Sequence, residues 1–186
     1  SQKTKVLTFD EDSIMRLDGV FDNTNFDDSR LFQSAFSIEL GLYLSEYSEG
    51  ILFELRDSNI LDREIQIAIT SDKTVRVYFY TGGEYVWAET SQTLDETNPS
   101  HITVTYSDAS QTLAIYIDSI KFSKTFFEGI DLAEDTVSQY NFEFVNTSGM
   151  SGYITMLRIW NKELPESEIQ GLINDYIFNS VTNPEL

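Results

Sequence analysis

The chain has 186 residues, 41% of them hydrophobic, a formal charge of −19 from 31 acids against 12 bases, and no cysteine. That charge sets it against phosphate-rich partners, nucleic acid and anionic membrane surfaces alike, and without cysteine there are no disulfides, no thiol chemistry and no cysteine-bound zinc. A chain of this length buries roughly 70% of its extended surface on folding, enough for a core without cross-links, and no apolar run is long enough for a membrane span.

The opening "SQKTKVLTFD" lacks the apolar centre of a secretory signal, so any such signal is expected to have been removed or to lie elsewhere in a longer chain. Val6, Thr8 and Asp10 alternate there with Lys5, Leu7 and Phe9, as in a strand. "FDNTNFDDS" follows, with Asp22, Asn23, Asn25, Asp27 and Asp28 close together. Asn23, Asn25 and Asp27 have the alternate spacing by which a loop wraps Ca²⁺ with side-chain oxygens, although the glycine and distal glutamate of an EF-hand are missing. This loop is the first candidate metal site.

"FSIELGLYL" puts Phe36, Ile38, Leu40, Leu42 and Leu44 on one face of a strand and Ser37, Glu39, Gly41 and Tyr43 on the other. "RDSNILD" supplies a second candidate calcium cluster in Asp57, Asn59 and Asp62. "EIQIAIT" buries Ile65, Ile67 and Ile69 and is expected to expose Glu64, Gln66 and Ala68. "TVRVYFYTGGEYVWAE" sets Val75, Val77 and Phe79 inward and Arg76, Tyr78 and Tyr80 outward, then turns at Gly82-Gly83 into Tyr85 and Trp87. Aromatic rings on an open sheet face stack on the apolar faces of sugars, so Arg76, Tyr78, Tyr80 and Trp87 are the candidate ligand-binding residues. Tyr43 and Tyr116 are expected on a surface of the same type, although aromatic residues favour strands in any case.

"HITVTYSDASQTLAIYID" reads as a hairpin, with Ile102, Val104 and Tyr106 facing Leu113, Ile115 and Ile117. His101 is the sole histidine and is expected to hold a structural place at a strand end. "DLAED" near Asp131 reads as a charged loop, and Tyr140, Phe142 and Phe144 are in phase on a further strand. "NTS" at Asn146 matches a glycosylation sequon. In "SGYITMLRIW" Ile154, Leu157 and Ile159 do not share one parity, which predicts a bulge near Thr155 or Met156. Pro165, Glu166 and Glu168 open a short helix near 165–174, with Ile169, Leu172 and Ile173 on one face. Strands with one apolar face, joined by turns and closed by a helix, predict an all-β antiparallel sandwich.

Several of these runs resemble the laminin G-like and pentraxin-like jelly rolls of the concanavalin A-like lectin/glucanase superfamily. Val104-Thr105-Tyr106 followed by Tyr116-Ile117-Asp118 is similar to that family's hairpin. Gly152, Ile154, Arg158, Ile159, Trp160, Asn161, Leu164, Glu168 and Ile169 are similar to its closing strand and helix. Ser119 stands where the family usually has glycine, and Thr155 where it often has an acid that helps hold calcium. The resemblance implies a jelly roll over residues 1–186, cut from a larger protein as a monomeric module. It also implies a job at the cell surface or outside the cell: calcium-assisted binding of a glycan or a cell-surface protein or peptide, as in lectins and adhesins. Glucanases of this fold carry a Glu-x-Asp-x-x-Glu pattern, which is absent here. The expectation is therefore a non-catalytic module with Ca²⁺ as cofactor; a glycoside hydrolase or lyase of the same fold, or a structural spacer, are the alternatives.

Overall fold

The computed structural model describes residues 7–10, 15–22, 35–57, 64–81, 84–118, 120–126, 139–160 and 162–181. Among them are twelve strands and one helix. β1 (Leu7–Phe9), β12 (Ser151–Trp160), β3 (Ala35–Glu46), β8 (Ser100–Ser107), β9 (Thr112–Ile117) and β10 (Ile120–Thr125) form one sheet in that order. β2 (Met15–Asp22), β11 (Gln139–Phe144), β4 (Gly50–Asp57), β5 (Glu64–Ile69), β6 (Thr74–Thr81) and β7 (Glu84–Thr93) form the second. Every pairing is antiparallel. The helix α1 spans Glu166–Val181, seven residues beyond the stretch that its apolar spacing predicts.

The core faces agree with the alternation in the sequence. Phe36, Ile38, Leu40 and Leu42 of β3 meet Ile65, Ile67, Val77 and Phe79 of the second sheet, all of them buried. Phe36 and Tyr106 from one sheet and Phe79 from the other form an aromatic trio with centroids 5.1–6.1 Å apart, joining the layers at their centre. The anticipated bulge is present: β12 slips against β3 between Ile154 and Met156. The turn at 70–74 also forms, with Lys73 at a φ of 61°.

One reading of exposure is corrected. Glu64, Gln66 and Ala68 point away from the core but are buried, because long side chains on β4 and β6 close over them. Ser37 and Glu39, on the outward face of β3, are buried as well. Above that face Leu164, Ile169 and Ile173 pack on Ala114 and Tyr116 of β9, flanked by Trp160 and Leu172. Ser37 anchors the approach to the helix: its hydroxyl donates to Lys162 O at 2.7 Å and accepts from Leu164 N at 2.9 Å.

Candidate functional site

Strand register arranges the outward side of the second sheet. One row runs Glu143, Glu54, Gln66, Tyr78, Trp87 across five strands; the next runs Asn141, Arg56, Glu64, Tyr80, Tyr85; a third brings Ala68, Arg76 and Glu89 together. Of the four candidate ligand residues, Arg76, Tyr78 and Trp87 are thus brought side by side. Tyr80 stands in register between Glu64 and Tyr85.

The two ends of these rows differ in chemistry. On β6 and β7, Tyr85 is 53% exposed and Trp87 43%. Tyr78 meets Tyr85 edge to face at 6.0 Å. The Arg76 guanidinium lies 4.5 Å from the Trp87 ring centre, and Lys124, reaching over from β10, lies 5.1 Å from it. Arg76 is committed to neighbours: its Nε donates to Glu89 at 2.9 Å and its Nη1 to the Tyr78 hydroxyl at 2.8 Å. Those bonds raise the Arg76 pKa. At Glu89, burial works to raise the pKa, but the Thr74 hydroxyl and Arg76 together hold it below the ordinary carboxylate value.

On β4, β5 and β11 the rows are acidic. Gln66 Nε2 donates to Glu54 at 3.2 Å and to Glu64 at 3.0 Å, and Arg56 lies 3.4 and 3.3 Å from the same two carboxylates. Burial, and then the neighbouring Glu64 carboxylate, raise the Glu54 pKa, with Glu143 adding to the effect and Arg56 opposing it.

A groove of about 350 Å³ runs between these ends. Ile51, Gln66, Ala68, Tyr78 and Tyr85 line it, and Glu49 and Thr147 stand at one end. Thr147 Oγ1 accepts from Ile51 N at 2.9 Å, pinning the loop that closes that end. Gly50 is obligatory there, since a Cβ would stand 2.2 Å from Ser148 Oγ and 2.7 Å from its Cβ. The Asn146 sequon is structural: the buried Asn146 amide donates to Met150 O at 2.7 Å and accepts from Met150 N at 2.8 Å.

Asn23, Asn25, Asp27, Asp28, Asn59 and Asp62 fall outside the described residues, as does the 131–135 run. Asp22 and Asp57 end β2 and β4, in register with Gln139 and Tyr140 on the strand between them. Asp22 and Asp57 therefore stand at one end of the sheet on strands separated by β11, which sequence alone does not disclose. Among the described residues no group of three or more acids or histidines is placed to hold a metal ion.

The first sheet's outward face departs from expectation. Tyr43 stacks on Tyr153 at 4.9 Å, and Tyr116 is buried near the helix, so neither joins the aromatic surface of the second sheet. His101 is fully buried, its ring N–H donating to Glu39 at 2.7 Å. Arg158 Nη2 donates to the same carboxylate at 3.1 Å, and its Nε stands 2.9 Å from the other oxygen, an ion pair off hydrogen-bond alignment. This buried cluster was not anticipated. Its signal was an acid and a histidine on outward positions of strands that turn out to pair, Gly41 opposite His101 and Glu39 opposite Thr103.

The family model described as the concanavalin A-like lectin/glucanases superfamily matches residues 18–170. No curated protein matches the chain in sequence. Among solved structures, the heptameric SAP-like pentraxin of Limulus polyphemus superposes with a TM-score of 0.57 at 11% identity, over 76% of this chain and 71% of that one. The CBM40 domain of the Ruminococcus gnavus IT-sialidase, bound to α2,3-sialyllactose, gives 0.63 at 10% identity over 86% and 98%. The binding domain of botulinum neurotoxin DC, in complex with rat synaptotagmin II, gives 0.58 at 14% identity over 88% and 46%.

Proposed function

The chain belongs to the concanavalin A-like lectin/glucanases superfamily, and on that premise we propose that it is a non-catalytic recognition module, outside the cell or at its surface, that binds a glycan in the groove of its second sheet. The observation that carries this reading is the pair of exposed rings, Tyr85 and Trp87, beside Tyr78 on an open sheet face. Each presents a flat apolar surface with a polar tip, which suits a sugar ring and its hydroxyls. The groove lies on a face whose backbone groups are paired within the sheet, so a peptide gains no strand addition there. Neighbours of the same fold bind sialyllactose in one case and synaptotagmin in another.

Binding without hydrolysis is favoured by carboxylate spacing. Retaining glycosidases hold their two carboxyls about 5–5.5 Å apart and inverting ones about 6.5–9.5 Å. Glu54 and Glu64 on this face are near enough to hydrogen-bond, with no room for a sugar between them.

Calcium is a second part of the proposal, with ligands from Asp22, Asn23, Asn25, Asp27 and Asp28, joined by Asp57, Asn59 and Asp62. Asp57 lies six residues along β4 from Ile51 of the groove, about 20 Å at strand rise. The ion on this reading braces the sheet end and does not touch the stacked sugar. The test is a glycan array repeated in calcium and in EDTA, with wild type and Tyr85→Ala. Binding that survives EDTA and fails in the variant is expected, together with a melting temperature raised by calcium. Binding that ignores Tyr85 overturns the groove assignment; a melting temperature indifferent to calcium overturns the metal.

A further inference from the structure

One neighbour of the same fold, the CBM40 domain, is bound to a sialylated sugar. The groove here has the opposite electrostatics. A ligand carboxylate or sulfate is ordinarily held by a guanidinium that offers a fork of unused donors. Among the described residues, the two arginines of this face are already engaged, Arg56 by Glu54 and Glu64, Arg76 by Glu89 and Tyr78. Lys73, in the turn beyond the groove, is turned to Glu96 at 3.0 Å and to the Tyr47 ring. Lys124 is outside the groove lining and donates to the Trp87 carbonyl at 2.9 Å.

The one charged residue of the groove lining is an acid, and its one amide is backed by acids. Glu49 stands at one end. Gln66 spends its amide N–H on Glu54 and Glu64. Behind it the Glu54 carboxyl, with Glu64 and then Glu143 as acidic neighbours, is raised in pKa by burial and by those like charges, with Arg56 opposing. A hydroxyl approaching such a wall donates and gains; an anion meets like charge with no lysine or arginine in the groove lining to relieve it.

We infer that this groove takes an uncharged stretch of glycan and rejects the same glycan when the stacked sugar bears a carboxylate or sulfate. The inference rests on the glycan reading above and adds the ligand's charge class to it. The probes are matched pairs on an array, each neutral oligosaccharide beside its sialylated, uronylated or sulfated counterpart, with affinities of the hits measured by calorimetry. The neutral member of each pair is expected to bind at least about tenfold tighter, about 1.4 kcal/mol. Raising the ionic strength from ~0.01 M to ~1 M shortens the screening length from about 30 Å to about 3 Å and narrows that ratio. Glu64→Gln, which leaves Arg56 with a weaker hold, also narrows it, and the salt series decides the matter should that variant fold poorly. Acidic members that bind as tightly as neutral ones, or a ratio indifferent to salt, overturn the inference while leaving a Tyr85-dependent glycan site standing. The absence of any Tyr85-dependent glycan binding removes the underlying reading and this inference with it.

Discussion

The two outward faces of the sandwich start from the same kind of sequence and end differently. Both carry tyrosine, glutamate and arginine at alternate strand positions. Over the first sheet, Leu164 and the apolar face of α1 settle on Ala114 and Tyr116, with Glu39 and His101 buried in the same outer layer. Over the second sheet nothing of this kind is found among the described residues, and Tyr85 and Trp87 stay open to solvent. The difference teaches that strand composition does not decide which face stays open. The segment after β12 decides it, by covering one of the two.

The sealed face should be the more sensitive to substitution. Ile169→Ala deletes a fully buried side chain from the helix seam and is expected to cost about 2–5 kcal/mol in chemical denaturation. A cost under about 0.5 kcal/mol would show that the helix is no seal. Gly152→Ala is next. Its Cβ would stand 2.0 Å from the Tyr43 carbonyl of the neighbouring strand, so β12 and β3 must part, at about 1–3 kcal/mol.

Why the sequence showed one face and not the other is visible in particular residues. Alternation placed Ile38, Leu40, Ile65 and Val77 inward and Arg76, Tyr78 and Trp87 outward, because strand geometry has a strict period of two. Alternation says only which side a residue faces, not what lies beyond it. Glu39 and Tyr116 were therefore indistinguishable from Glu64 and Tyr78 until α1 was placed. Glu64 and Gln66 were misjudged for a related reason: cross-strand neighbours bury them, and register is not written within a single strand. The convergence of Asp22 and Asp57 beside β11 is likewise a product of strand order.

The open face should answer to charge and ligand more than to packing. Burial and Glu64 raise the Glu54 pKa above its ordinary 4.5, so the folded state holds that proton more tightly than the unfolded chain. Glu54 therefore opposes folding increasingly as pH rises from 4.5 through its folded value. Glu54→Gln is expected to make the protein modestly more stable at pH 7 and to lessen the loss of stability between pH 4 and 7. A variant less stable than wild type at pH 7 would mean that its bonds to Arg56 and Gln66 outweigh the repulsion. Smallest of all is Tyr85→Ala: denaturation midpoints within about 0.5 kcal/mol of wild type are expected, since the ring is half exposed, while glycan binding is lost. A large drop in stability there would place Tyr85 in the framework and erase the contrast between the faces.

The place of β12 has a consequence for how the molecule comes into being. It lies between β1 and β3, the last-made strand seated inside a sheet whose other members were synthesised earlier. Until Ser151–Trp160 leaves the ribosome, β3 lacks its partner along Ser37–Glu46, and β1 has no neighbour among the described residues. Contacts that link residues more than a hundred positions apart, such as Ser37 with Leu164, form only after a long loop has closed. A nascent chain stopped before Ser151 thus presents a bare strand edge to every other such chain, and release of the closing strand, not the start of translation, sets the time at which the protein becomes safe from self-association.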